Sequence, residues 1–138
     1  MDVLARAINA ALFISHGIRE DTEIIVHLNG DLGFSRRVKF DGRILKGVHP
    51  DERSISGHIR SIIGKEMPPI GIYEVISEGI SHSGGRLEDT LKEWKEMDLE
   101  ILILDSGGES NKEWIKDDGL AFVISDDLNF TKEENEIL

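Results

Sequence analysis

Two short runs, residues 99–104, apolar but for Glu100, and 120–124, constrain the fold of this chain most. A continuous apolar strand without polar alternation is the kind buried on both faces, as in a parallel sheet covered by helices. Each run is followed by small and acidic residues, Asp105-Ser106-Gly107-Gly108-Glu109 after the first and Ser125-Asp126-Asp127-Leu128-Asn129-Phe130 after the second. Open α/β sheets bind ligands beyond the C-terminal ends of their strands, which makes these two loops the first places to look for a site. As bare patterns they are equally ordinary turns, and Thr131 explains the end of the second as helix capping.

The rest of the chain supplies alternating helices and strands. Apolar residues recur at helical spacing over residues 3–14, with Gly17 placed to act as a left-handed C-cap. Residues 22–28 read as a strand running into the turn cluster Asn29-Gly30-Asp31. Val38-Lys39-Phe40 and Ile44-Leu45, separated by Asp41-Gly42-Arg43, have the pattern of a small basic hairpin. From Ser54, the residues Ile55, Ile59, Ile62 and Ile63 mark a helix face that Met67-Pro68-Pro69 is expected to end. Residues 71–76 read as a strand, 78–85 as a loop of small polar residues, and Leu87, Leu91 and Trp94 as a helix. Trp114 and Ile115 suit a short helix, and Thr131 with Glu134 forms a capping box that opens the last one. The expectation is one α/β domain over residues 1–138, a mostly parallel sheet with helices on both faces.

Charge sets a second constraint. Sixteen Lys and Arg stand against 27 Asp and Glu, a net charge of −11, which repels nucleic acid at long range. The acid gathers late in the chain, whereas Arg36, Arg37, Lys39, Arg43, Lys46, Arg53 and Arg60 fall in the first half, leaving room for a local basic face. The chain has no cysteine, and hence neither disulfides nor thiolate chemistry. No apolar stretch is long enough to span a membrane, and the run 10–14 lacks the flanks of a signal peptide, which is compatible with a cytoplasmic address. The histidines lack metal-ligand spacing, so no metal is expected; His16 is expected to complement a helix C-terminus. There is no nucleophile elbow and no phosphate-binding fingerprint.

His49-Pro50-Asp51-Glu52-Arg53-Ser54 places acids and a guanidinium at the mouth of the second helix. Taken as residues alone, this cluster reads first as a capping motif in which Asp51 or Ser54 caps the helix and Arg53 pairs with a carboxylate, and second as an acid–base pair in which Asp51 takes a proton and Arg53 holds a negative charge.

That segment, together with Asn9-Ala10-Ala11-Leu12-Phe13-Ile14-Ser15-His16-Gly17-Ile18-Arg19, Val38-Lys39-Phe40-Asp41-Gly42, Gly71-Ile72-Tyr73 and Phe122-Val123-Ile124-Ser125-Asp126-Asp127-Leu128-Asn129-Phe130, resembles the archaeal tRNA pseudouridine N1-methyltransferases. These form the TrmY branch of the knotted SPOUT superfamily. The resemblance implies a SPOUT-type sheet, S-adenosylmethionine as cofactor, and methyl transfer to N1 of a pseudouridine in the tRNA T-loop. It implies that Leu104 and Ser125 present main-chain groups to the cofactor, with Gly107 and Leu128 beside them. Asp51 would serve as proton acceptor and Arg53 as a cation or phosphate anchor. Arg36, Arg37, Lys39 and Arg43 would form one RNA-facing basic surface, with Tyr73 and Phe34 nearest for stacking. Family members often carry His where this chain has Asp127, and they form homodimers through the knot. They also have a strand before the position of Met1 and a Gly-Pro and His-rich segment beyond that of Leu138, so the resemblance implies an incomplete trefoil knot here. A non-catalytic, RNA- or protein-binding fragment is the rival expectation, and a small acidic metabolite-binding protein is a third.

Overall fold

A computed structural model describes residues 1–30, 35–108, 119–126 and 128–138. They fall into two compact units, residues 1–86 and 87–138.

In the first unit, the apolar stripe near the N-terminus makes α1 (Asp2–Leu12), which buries Ala5, Ile8 and Leu12 at helical spacing. The helix stops at Phe13, whose extended backbone starts β1 (Phe13–Ile14), paired at once with β2 (Gly17–Ile18). Two residues that favour strands therefore end the helix where a glycine cap was expected. Gly17 is part of the returning strand, and His16 sits in the turn rather than at a helix C-terminus.

The main sheet is antiparallel, in the order β3 (Glu23–Asn29), β4 (Ser35–Asp41), β6 (Ile80–Gly84), β5 (Glu74–Ser77). Val38-Lys39-Phe40 is thus the middle of a seven-residue strand, not one arm of a hairpin with Ile44-Leu45. Gly42 follows that strand because the backbone passes so close that a Cβ there would overlap the Arg19 carbonyl oxygen. The segment 78–85, expected to be a loop, supplies the turn Glu78-Gly79 and then the interior strand β6. Gly79 takes φ of 85°, the left-handed conformation that joins β5 to β6.

α2 (Glu52–Ile63) lays Ile55, Ile59 and Ile62 on this sheet. With α1 and the strand residues Val26, Val38, Phe40 and Ile80 they form one buried cluster. Ile63, expected on the same face, is exposed. The helix ends at Gly64, before the Met67-Pro68-Pro69 segment expected to stop it.

The second unit contains α3 (Leu87–Glu96), β7 (Glu100–Leu104), β8 (Leu120–Ile124) and α4 (Lys132–Ile137). β7 and β8 pair in parallel from Glu100↔Leu120 to Leu104↔Ile124, and are the one parallel strand pair among the described residues. The fold is therefore mixed α/β with a mostly antiparallel main sheet, where a mostly parallel one was expected. The expected burial on both faces is only half met: Ala121 and Val123 are buried, whereas Leu104 and Ile124 are exposed. α4 opens with the expected capping box, Thr131 accepting from the Glu134 amide and Glu134 from the Thr131 amide. Trp114 and Ile115 lie outside the described residues, as do Phe34 and Asp127.

Candidate functional site

The mouth of α2 is built by capping. Asp51 has an extended backbone, and its Oδ1 accepts from the Ser54 amide at 2.7 Å. The Ser54 hydroxyl in turn accepts from the His49 amide at 3.1 Å, which folds His49-Pro50 back over the helix start. Glu52 is tied to Arg6 of α1 at 2.8 Å, and Asn9 donates to the Pro50 carbonyl at 3.4 Å, so α1 fixes the approach to the cap. Among the described residues no partner is recorded for Asp51 Oδ2 or the exposed Arg53 guanidinium. Capping accounts for one carboxylate oxygen and leaves the other available for chemistry. Among the described residues the expected pairing of Arg53 with a carboxylate does not form.

The four cations expected to share one face do not. Successive strand residues point to opposite sides of a sheet, so Arg36 and Arg37 are separated by β4 itself. Arg36 lies on the α2 side and donates to the Ile62 carbonyl and, at 2.7 Å, to the Lys65 carbonyl, capping the end of the helix. Burial lowers its pKa from the ordinary arginine value. Arg37 is fully buried on the other side, with Nε donating to the Gly84 carbonyl at 3.1 Å and its guanidinium 5.1 Å from the Tyr73 ring centre. Lys39 shares that side, 3.9 Å from the same ring centre and 3.9 Å from Glu23. Desolvation raises the Glu23 pKa, against the opposing pull of Lys39. Arg43 is exposed but held by Asp41 at 3.3 Å. Tyr73, expected to stack on a base, already has two cations at its ring.

Sequence reasoning missed His82. It is wholly buried in β6, neither ring nitrogen has a hydrogen-bond partner among the described residues, and its pKa is lowered by burial first and by Arg36 next, with Glu74 opposing and Lys65 adding a smaller push. Its strand residues alternate with serines, which in sequence looks like a loop.

In the second unit the two strands that precede the expected cofactor residues end side by side. Because β7 and β8 are parallel and in register at Leu104↔Ile124, the loops carrying Gly107 and Leu128 leave the same end of the pair. The first is a tight turn, with the Gly108 amide donating to the Asp105 carbonyl at 3.0 Å. In the second, the Leu128 amide donates to Asp126 Oδ1 at 2.9 Å, while the Leu128 side chain stays exposed. Ser125 is half-buried directly after β8. The side chains of Leu104, Ile124 and Leu128 are all exposed. Among the described residues no group of three His, Cys, Asp or Glu side chains is placed to hold a metal ion.

Known proteins share this chain over its full length. The family described as "Putative SAM-dependent RNA methyltransferase" matches residues 1–138. A tRNA (pseudouridine(54)-N(1))-methyltransferase of Haloferax volcanii is 37% identical over 139 residues, covering 100% of this chain and 68% of its own. The protein of the same name from Methanospirillum hungatei is 34% identical with the same two coverages, and that of Methanococcoides burtonii is 31% identical over 141 residues, again covering 100% and 68%. On the full-length family match, and on relatives above 30% identity, the chain belongs to this RNA methyltransferase family.

Proposed function

We propose that this protein transfers a methyl group from S-adenosylmethionine to N1 of a pseudouridine in a tRNA T-loop. The observation that supports the reading is the parallel, in-register ending of β7 and β8 at Leu104 and Ile124, from which both candidate loops leave, in a chain matched throughout by the family. Main-chain groups at Leu104 and Ser125 would hold the cofactor, with Gly107 and Leu128 flanking it. The cofactor supplies an electrophilic sulfonium methyl. In this reading β7 and β8 belong to a SPOUT-type parallel sheet, and the protein works as a homodimer in the cytoplasm.

The N1 proton of pseudouridine is that of a weakly acidic imide, and it must leave as N1 forms its bond to carbon. Asp51 accepts that proton at the oxygen that does not cap α2. As that proton leaves, negative charge spreads from N1 onto the neighbouring ring carbonyl until N1 gains the methyl, and Arg53, exposed and without a side-chain partner among the described residues, offers the cation that this charge or an adjoining phosphate requires.

Asp51→Asn separates catalysis from capping, since asparagine caps a helix about as well as aspartate. Methyl transfer to a pseudouridine-containing T-loop RNA should fall by about 100-fold or more, with the thermal midpoint and the cofactor affinity by calorimetry unchanged. An undiminished rate would leave Asp51 a cap only. Wild-type protein that binds no S-adenosylmethionine would remove the enzymatic reading and favour a non-catalytic RNA- or protein-binding role.

A further inference from the structure

We propose that the solvent face of α2, built by Arg53, Gly57 and Arg60, is the strip along which the RNA backbone lies; the proposal rests on the RNA-substrate reading above and names the surface that serves it. Seven cations of the first unit were candidates for such a face, and the structure commits five of them elsewhere. Arg36 is bound to the end of α2, Arg37 is buried against Gly84 and Tyr73, and Lys39, Arg43 and Lys46 are paired with Glu23, Asp41 and Glu78. Arg53 and Arg60 remain, both exposed, and neither has a recorded partner among the described residues.

Helical geometry puts them together. Positions 53, 57 and 60 follow the i, i+4, i+7 pattern, which is one stripe, and it lies opposite the buried Ile55, Ile59 and Ile62. The two arginines stand about 10.5 Å apart along the axis at 1.5 Å per residue, a span that two long side chains close onto successive phosphates. The only acid in the helix, Glu52, is neutralised by Arg6.

Two features of the stripe run against helix stability. A cation in the last turn, Arg60, complements the helix dipole, but Arg53 lies in the first turn, where a cation opposes it. Gly57 sits mid-helix, where glycine is the poorest residue after proline, yet apart from the helix's own neighbouring backbone no atom of the described residues lies within 4 Å of where its Cβ would be. Among the described residues the space that this glycine leaves open is unfilled. A bare backbone between two free guanidiniums lets a phosphodiester chain come close while both arginines reach it, bidentate contact to phosphate being what the guanidinium fork suits. In a chain of net charge −11, an unneutralised basic strip selects a polyanion.

The test is equilibrium binding of a T-loop RNA hairpin to the full chain across a salt series. Arg53→Ala with Arg60→Ala should flatten the slope of log K against log salt by about 0.7 per lost contact. Gly57→Glu should weaken binding by about tenfold while keeping the thermal midpoint near wild type. Arg60→Ala alone should raise KM for RNA and leave S-adenosylmethionine affinity unchanged. If wild-type protein binds and methylates RNA and the variants keep its slope, this surface is excluded while the proposed activity stands. If wild-type protein binds cofactor but no RNA, both fall. Displacement of RNA by polyglutamate at equal charge concentration would identify an acidic protein as the partner and overturn the assignment to RNA.

Discussion

His82 gives the first unit a pH dependence near neutrality. Its imidazole is buried without hydrogen-bond partners among the described residues, and burial, then Arg36, disfavours the charged form. The folded pKa is lowered below 6.5, so as pH falls through that value the unfolded chain takes up a proton that the folded one resists. Stability is therefore full above about pH 6.5 and declines below it. Urea midpoints measured between pH 5 and pH 8 should show that decline, and His82→Gln should flatten it. The Asp51 cap was legible in sequence because a cap has a local signature. His82 was not, because the burial of a single histidine depends on strands far away in the chain.

At the scale of elements, β4 shows why a basic cluster could be read and its surface could not. The arginines at 36 and 37 are adjacent, but a strand sends them to opposite faces, one to cap a helix and the other into the sheet's far side. Reading residues 38–45 as a hairpin hid this, since Asp41-Gly42 has turn chemistry whether or not the strands turn there. β6 was missed for a related reason. Its small polar residues resemble a loop until Arg37 is seen to donate to Gly84 and Ser83 to bond the backbone at Pro69 and Gly84. The helices were clearer, because α1, α2 and α3 each show apolar positions at helical spacing. Phe40→Ala, at the centre of the buried cluster between β4 and the helices, should cost about 3–5 kcal/mol in denaturant unfolding. Arg36→Ala, which leaves the last carbonyls of α2 without their donor, should cost about 1–3 kcal/mol.

For the whole molecule, the net charge is not shared. Residues 1–86 hold eleven Lys and Arg against eleven Asp and Glu, while residues 87–138 hold five against sixteen. The first unit is thus neutral overall and the second carries the entire excess, which removes the objection that net charge raises to an RNA partner for α2. The parallel pair β7–β8 was foreseen from its apolar runs. The antiparallel main sheet was not, because strand direction depends on connections that composition does not encode. One consequence follows from the strap that Arg36 makes between β4 and the end of α2. Helix ends ordinarily fray, and their amides exchange with solvent long before the core opens. Here the final turn of α2 is fastened to the interior of the sheet, so the deuterium uptake of its amides should track that of Val38 and Phe40 rather than that of α4, which buries no side chain among the described residues. In Arg36→Ala the two rates should part, with the last turn of α2 exchanging first and the sheet keeping its protection.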